Sequence, residues 1–265
     1  MDSVSRYLMM LKMKREHPSL NYLQRLIQHH LLLVPYETFS KFYYYVYGPS
    51  FIPEFQDFVR NLEEKGWGGT CFTLNINFAR LLKQLGYECH FVRVLPGHVA
   101  IMVQVEGRRF YVDVGYGSPI MRPIELEAKA KHVLHGFGEE IIFTHQNEQE
   151  FYITRRANGK TFVQKKIEWQ PLQEGDLRED IENSFFDDEN NTTMRRITAV
   201  RFQGNQSYFL RNETLKVMTY RNIRERRFGQ MEQWKKVVSD TFHLESGDLE
   251  ESVEFLSERG IFLFK

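Results

Sequence analysis

The sequence is poor in cysteine and in long apolar runs, and each shortage excludes a class of protein. Its 265 residues contain two cysteines, Cys71 and Cys89, too few for the disulfide framework of a secreted scaffold. No apolar run approaches the roughly 18 residues that cross a bilayer, and the N-terminus lacks a secretory signal pattern. We therefore expect a soluble, cytoplasmic protein in which a free thiol can serve as a reagent.

A net charge is also lacking. Lys plus Arg and Asp plus Glu both number 35, so the formal net charge is zero and nothing favours a polyanionic partner such as DNA. Hydrophobic residues make up 42% of the chain and charged residues 26%, which is typical of a folded globular protein. We expect no nucleic-acid partner and no membrane partner.

The hydrophobic pattern divides the chain into three parts. Helical spacing dominates residues 1–90, β-type segments with hairpin signals dominate residues 91–185, and residues 186–265 mix strands with one helix. The elements predicted in the last part are strands at 197–202, 208–210 and 214–220 and a helix at 246–259. This order predicts an α+β protein whose middle part is an antiparallel sheet or barrel.

Cys71 stands where the chain favours a reactive thiol. It follows Gly68 and Gly69 and opens an apolar helix that should end near Gly86. The positive end of a helix dipole lowers the pKa of a thiol and favours the nucleophilic thiolate. An inert, buried structural cysteine is the alternative interpretation.

His98 and Asp113 should meet beside each other on neighbouring strands. Glu106-Gly107 is a plausible hairpin turn, and pairing about it places position 98 opposite a residue near 115. An imidazole there can deprotonate a thiol, and a carboxylate can fix the imidazole tautomer. The alternative is that both residues are ordinary turn residues at strand ends.

Five short segments carry the most specific signal in the sequence. They are Val34-Pro35-Tyr36-Glu37, Gly68-Gly69-Thr70-Cys71-Phe72-Thr73-Leu74-Asn75, Leu81-Leu82-Lys83-Gln84-Leu85-Gly86-Tyr87, His98-Val99 and Val112-Asp113-Val114-Gly115-Tyr116-Gly117. In order and spacing they resemble the arylamine N-acetyltransferase family. The resemblance covers roughly residues 20–126 and is weak beyond them.

The resemblance implies a papain-like catalytic triad carried by three subdomains. These would be a helical bundle (1–90) that holds the nucleophile, an antiparallel β-barrel (91–185) that holds the base and acid, and an α/β lid (186–265). By the matching positions, Cys71 is the nucleophile, His98 the base and Asp113 the orienting acid. Acetyl-CoA is the implied cosubstrate, and the acceptor is an arylamine, a hydrazine or an arylhydroxylamine.

Two tyrosines match family positions that line the acceptor pocket. Tyr36 and Tyr116 would give a flat apolar slot with polar tips, which suits an aromatic amine. Core packing is the alternative for each. The residues that bind CoA are not indicated: Arg195, Arg196 and Arg201 could contact its phosphates, but a solvated charged strand face is the simpler explanation for them.

The sequence departs from the family pattern at two positions near the nucleophile. Trp67 stands where the family has the Arg that pairs with the Glu of the Val-Pro-Phe-Glu motif, and Thr73 replaces an acidic or amide residue. Glu37 therefore lacks its usual partner. Because a buried unpaired carboxylate is costly, we expect Glu37 to find another cation or a hydroxyl, or to lie nearer to water.

Other functions fit the same residues. One is an amide synthase, or a hydrolase of the transglutaminase or protease type, using the same triad; another is a non-catalytic relative that binds CoA or aromatic ligands. A metal site is not expected, because the His132 and His135 pair lacks an acidic or thiol companion at suitable spacing. The sequence leaves open the acceptor, the acyl chain length and the oligomeric state.

Overall fold

The computed structural model describes residues 1–219 and 221–264. Within them the chain forms eight α-helices: α1 (Ser3–Met10), α2 (Leu20–Leu33), α3 (Phe39–Tyr47), α4 (Phe55–Lys65), α5 (Cys71–Gln84), α6 (Arg178–Phe185), α7 (Met231–Phe242) and α8 (Ser246–Ser257). The same residues form twelve strands: β1 (Tyr36–Glu37), β2 (Glu88–Leu95), β3 (His98–Val105), β4 (Arg108–Val112), β5 (Lys131–Gly136), β6 (Glu139–Asn147), β7 (Glu150–Ala157), β8 (Lys160–Leu172), β9 (Thr198–Gln203), β10 (Gln206–Arg211), β11 (Thr214–Met218) and β12 (Ile223–Arg227). The predicted strand 214–220 corresponds to β11, and Tyr220 lies outside the described residues.

Helix α5 carries the candidate nucleophile as its first residue. Thr70 is its N-cap, and the chain leaves the helix through Leu85 and then Gly86, which has a φ of +96°. A residue without a side chain adopts this left-handed conformation at no steric cost, so the helix ends there. The helix predicted from Cys71 to a stop at Gly86 is confirmed.

The middle of the chain folds into a curled antiparallel sheet of seven strands in the order β4-β3-β2-β8-β7-β6-β5. The turn between β3 and β4 is Glu106-Gly107, with φ values of +52° and +74°. In that hairpin Ile101 pairs with Val112, so the register places position 98 opposite position 115 as predicted. Strand β4 ends at Val112, two residues earlier than expected.

A second sheet of five strands has the order β1-β9-β10-β11-β12. Its first strand comes from the N-terminal part of the chain: Tyr36 pairs with Val200, and Glu37 pairs with Ala199. The loop that precedes α5 joins on the other side, because Glu37 N donates to Gly69 O at 3.0 Å. Backbone hydrogen bonds therefore connect the C-terminal sheet to the start of α5.

Strand β3, which begins at His98, is buried on both faces, and this packing fixes the position of the strand. Val99 and Ile101 belong to a core shared with the helices α1, α2, α4 and α5, whereas Ala100 and Met102 face the interior of the curled sheet. A third core joins α3, α7 and α8 to the five-stranded sheet. No helix in the described ranges is long and apolar enough to cross a membrane.

Candidate active site

Cys71 is the first residue of α5, and the residue as a whole is partly exposed. The backbone of Gly115 packs directly on the backbone of Cys71, because a Cβ at Gly115 would lie 2.8 Å from Cys71 Cα and 2.9 Å from Cys71 O. The first amide groups of a helix have no acceptor inside the helix, so the N–H of Cys71 is free of the helical ladder. The turn after β4 thus brings a residue without a side chain against the start of α5.

His98 and Asp113 form a buried pair beside this thiol. His98 Nε2 and Asp113 Oδ2 are 2.7 Å apart, and the two side chains are 3% and 0% exposed. Since Nε2 is used by Asp113, Nδ1 is the ring nitrogen left for Cys71. The structure therefore brings together all three residues of the predicted triad, in the order thiol, imidazole and carboxylate.

The charges of the three groups support one another. Burial raises the pKa of the Cys71 thiol, but the hydrogen bond and positive charge of His98 outweigh it, so the net pKa is lowered. Burial lowers the pKa of His98, yet the Asp113 carboxylate raises it overall to about 9. Burial likewise raises the pKa of Asp113, and the His98 charge brings it below its ordinary value. The arrangement favours a thiolate–imidazolium pair.

Two side chains that sequence reasoning missed hold the carboxylate in place. Asn75 Nδ2 donates to Asp113 Oδ1 at 3.0 Å, and Tyr111 Oη donates to Asp113 Oδ2 at 2.7 Å. Asn75 lies four residues after Cys71 and so on the same face of α5, and Tyr111 lies two residues before Asp113 along the chain. Those spacings are the signals that could have found them.

The two predicted acceptor-pocket tyrosines both lie at the turn 115–117, which follows Asp113. The Tyr116 ring centroid is 4.5 Å from that of His98, and the Tyr116 hydroxyl is buried with no hydrogen-bond partner among the described residues. Tyr36 reaches the site from β1: a Cβ at Gly117 would lie 3.9 Å from Tyr36 Cγ. Tyr116 is therefore part of the turn 115–117, and Tyr36 lies beside it.

The expectation that Glu37 finds a replacement partner is confirmed. Glu37 is fully buried, and its carboxylate accepts from Ser40 N at 2.9 Å and from Ser40 Oγ at 2.6 Å. Burial still dominates and raises the pKa of Glu37 to about 7. Trp67 serves a different purpose, because its indole Nε1 donates to Asp248 in α8 at 2.6 Å.

The three arginines considered for the CoA phosphates each have a partner within the protein, and Arg196 Nε donates to Thr198 Oγ1 at 3.2 Å. Arg195 forms an ion pair with Asp187, and Arg201 donates to Thr241 O in the last turn of α7. Residues 1–219 and 221–264 contain no cluster of three His, Cys, Asp or Glu side chains that could hold a metal ion. Cys89, the second thiol, is buried.

Comparison with known proteins gives the family. The model of the N-acetyltransferase family matches residues 19–249. This chain belongs to the N-acetyltransferase family. The predicted resemblance is confirmed, and this N-acetyltransferase is an acyltransferase by family, as expected.

Two curated relatives are similar to this N-acetyltransferase at moderate identity. Proansamycin X synthase of Amycolatopsis mediterranei is 27% identical over 222 residues, covering 77% of this chain and 81% of the relative. A pineal gland isozyme of arylamine N-acetyltransferase from Gallus gallus is 27% identical over 125 residues, covering 42% of each chain.

Solved structures share the whole fold. The arylamine N-acetyltransferase of Mycobacterium smegmatis superposes with a TM-score of 0.80 at 21% identity, covering 97% of this chain and 98% of that chain. The Mycobacterium marinum enzyme in complex with CoA has a TM-score of 0.78 at 16% identity, covering 94% and 97%. The predicted α+β fold class is confirmed.

Proposed function

We propose that this N-acetyltransferase moves an acetyl group from acetyl-CoA to Cys71 and then to an arylamine, a hydrazine or an arylhydroxylamine. The observation that carries the proposal is the arrangement of Cys71, His98 and Asp113, with a 2.7 Å contact between imidazole and carboxylate. Family membership makes acetyl-CoA the donor of choice. The roles of the three residues are our assignment.

In the first half-reaction the Cys71 thiolate attacks the thioester carbonyl. The C–S bond to CoA breaks, the sulfur of CoA takes the proton of the His98 imidazolium, and the acetyl group remains on Cys71. Exchange of one thioester for another is nearly isoenergetic, which suits a thiol nucleophile. The lowered pKa of Cys71 favours the thiolate form that attacks.

In the second half-reaction the acceptor amine attacks the acetyl-Cys71 carbonyl. Neutral His98 accepts the proton of the amine, Cys71 leaves as the thiolate, and the product is an amide. The Asp113 carboxylate stabilises the imidazolium that forms. Tyr36 and Tyr116 would form the walls that receive the aromatic ring of the acceptor.

The N–H of Cys71, at the start of α5, is the proposed donor to the oxyanion of both tetrahedral intermediates. Its position at the helix N-terminus adds the favourable end of the helix dipole. A structure of the trapped acetyl-enzyme tests this role. A carbonyl oxygen facing away from that N–H would contradict it.

A second candidate is amide formation from a donor larger than acetyl-CoA. It is favoured by the similarity to proansamycin X synthase, which extends over 77% of this chain. Both functions use the same acyl-Cys71, so the size of the acyl group distinguishes them. A hydrolase would differ from both functions because it would admit water to the acyl-enzyme.

The test is the intact mass of the purified protein after mixing with acetyl-CoA in the absence of an amine. We expect a gain of about 42 Da, one acetyl group held as a thioester, that is lost in Cys71→Ala and retained in Cys89→Ala. Burial raises the pKa of Cys89 to about 12, so this second thiol is a matched, unreactive control.

The other outcomes of the same experiment are equally informative. Absence of the adduct, together with absence of CoA release, would reject acetyl-CoA as donor, and longer acyl-CoAs would then test the second candidate. An adduct that decays without an amine would indicate a hydrolase. A Cys71 that neither acylates nor reacts with iodoacetamide at neutral pH would indicate a binding protein.

The proposal also covers the division of the chain and its location in the cell. The division into parts 1–90, 91–185 and 186–265 is supported by the helices before residue 85 and by the seven-stranded sheet between residues 88 and 172. A cytoplasmic location is supported by a chemistry that needs Cys71 reduced. Expression of the separate parts and fractionation of cells test the two statements.

A further inference from the structure

An ion pair lies behind the turn that carries Tyr116, and the mechanism proposed above does not use it. Arg155 on β7 and Glu139 on β6 form it with both side chains only 12% exposed. Arg155 Nε donates to Glu139 Oε2 at 2.9 Å and Nη2 donates to Oε1 at 2.8 Å. The two parallel bonds fix the plane of the guanidinium.

The remaining donors of Arg155 point at the turn. Nη1 donates to Tyr116 O and Nη2 to Gly117 O, each at 3.2 Å. The guanidinium carbon also lies 5.1 Å from the centre of the Tyr116 ring and 5.2 Å from that of Phe162. Arg155 thus contacts both the backbone and the side chain of Tyr116.

We propose that Arg155, oriented by Glu139, is a positioning residue that holds the Tyr116 ring against His98 and thereby sets the affinity for the acceptor. The inference rests on the proposed function, in which Tyr116 borders the acceptor slot. Gly117 has a φ of +60° and Gly115 has no side chain, so the turn depends on outside contacts to hold one conformation. Arg155 supplies two such contacts, at Tyr116 O and Gly117 O.

The expected effect is confined to one half-reaction. His98 keeps its orientation through Asp113, and Cys71 through α5, so acetylation by acetyl-CoA does not require Tyr116 to be fixed. An aromatic acceptor does, because it would pack on that ring. Loss of Arg155 should therefore raise the acceptor KM and leave the acylation rate nearly unchanged.

The experiment compares Arg155→Met, Arg155→Lys and a matched control, Arg156→Met. Arg156 is the next residue on β7 and pairs with Glu140 at 3.1 Å, but that pair is about one third exposed and is not among the contacts of the turn. We expect the acceptor KM to rise about tenfold in Arg155→Met, because the variant loses one charged hydrogen-bonding group. Its acylation rate should stay within about threefold of that of the wild type. Arg156→Met should behave as wild type.

Arg155→Lys should retain part of the acceptor affinity that Arg155→Met loses. A lysine keeps the charge opposite Glu139 but cannot bridge the carboxylate and two carbonyls at once. If Arg155→Met does not fold, the double variant Arg155→Met with Glu139→Gln replaces it, because no buried carboxylate then stays unpaired. Unchanged acceptor kinetics in the folded variants, or an equal loss in both half-reactions, would overturn the proposal.

A readout that needs no acetyl-CoA separates this proposal from the proposed function. Cys71 is alkylated with iodoacetamide and with its N-phenyl derivative, whose ring would enter the same slot. We expect Arg155→Met to lower the rate for the aromatic reagent and to leave the rate for iodoacetamide unchanged. Equal rates for both reagents in wild type and variant would refute a Tyr116 slot even if the wild type proves unable to accept acetyl groups.

Discussion

Replacing Asn75 with alanine should slow acetylation without touching any of the reacting atoms. Asn75 is fully buried, donates to Asp113 Oδ1 at 3.0 Å and to Val99 O at 2.8 Å, and accepts from Val114 N at 3.0 Å. Asp113 also accepts from Gly115 N, so Asn75→Ala removes one of four hydrogen bonds to the carboxylate. We therefore expect Asp113 to keep its place but to stabilise the imidazolium less.

The magnitudes follow from the contacts. One lost hydrogen bond to a charged group corresponds to about 1.5 kcal/mol, which is about a tenfold lower acylation rate. Three buried groups lose a partner, so the free energy of unfolding should fall by at least about 3 kcal/mol. The acylation rate is measured in a single turnover with acetyl-CoA, and the free energy of unfolding is measured by urea titration.

Asn77→Ala is the matched control for this experiment. Asn77 is also fully buried on α5, and its amide donates to Thr73 O at 3.0 Å inside the helix. Its removal should lower stability but leave acylation within about twofold. An Asn75→Ala variant that acylates at the wild-type rate, or an Asn77→Ala variant that loses as much, would refute the view that Asn75 acts through Asp113.

Three further predictions concern single groups. Tyr111→Phe removes one donor to Asp113 and should slow acylation about three- to tenfold in the same single-turnover assay. The pKa of Cys71 is lowered and that of Cys89 is raised to about 12, so iodoacetamide at pH 7 should label Cys71 alone. Peptide mapping measures the labelling, and a similar rate at Cys89 would contradict the prediction. Burial raises the pKa of Glu37 from 4.5 to about 7, so its contribution to stability is complete below pH 4.5 and is lost as the pH rises through 7. As the pH rises across that range, the free energy of unfolding of Glu37→Gln should increase by about 3 kcal/mol relative to that of the wild type, as measured by unfolding at several pH values.

The triad could be predicted from the sequence because its geometry depends on local rules. Short segments of sequence determine both the helix that starts at Cys71 and the two-residue turn at Glu106-Gly107. The turn fixes the register of His98. The prediction was wrong about the end of β4, since the chain turns at Asp113, whose carboxylate accepts from Gly115 N at 3.0 Å. That side-chain bond replaces the strand pairing.

Long-range partners could not be predicted in the same way. The bonds from Arg155 to Tyr116 O and Gly117 O join residues 39 and 38 positions apart, and no local spacing indicates them. The pairing of Tyr36 with Val200 spans a still longer stretch of chain. Such contacts depend on how the two sheets and the helices pack together.

Two helices after residue 90 are missing from the prediction, for different reasons. The predicted boundary at residue 185 coincides with the end of α6, a helix that the sequence does not predict because its one buried residue, Phe185, gives almost no periodic signal. Helix α7 was missed although Trp234, Val238 and Phe242 are buried at a spacing of four residues. That apolar stripe was a usable signal.

Because β1 pairs with β9, the thiol site is supported by a segment that is synthesised later than the triad residues. Glu37 reaches Gly69, two residues before Cys71, on one side and Ala199 on the other, so the loop that presents the nucleophile is held by a strand near residue 200. A nascent chain that has emerged only through the triad residues has no partner for β1. The growing polypeptide therefore carries its nucleophile for some time before it carries a finished active site, and a chain that stops short of β9 is expected to leave Cys71 without the backbone support described here.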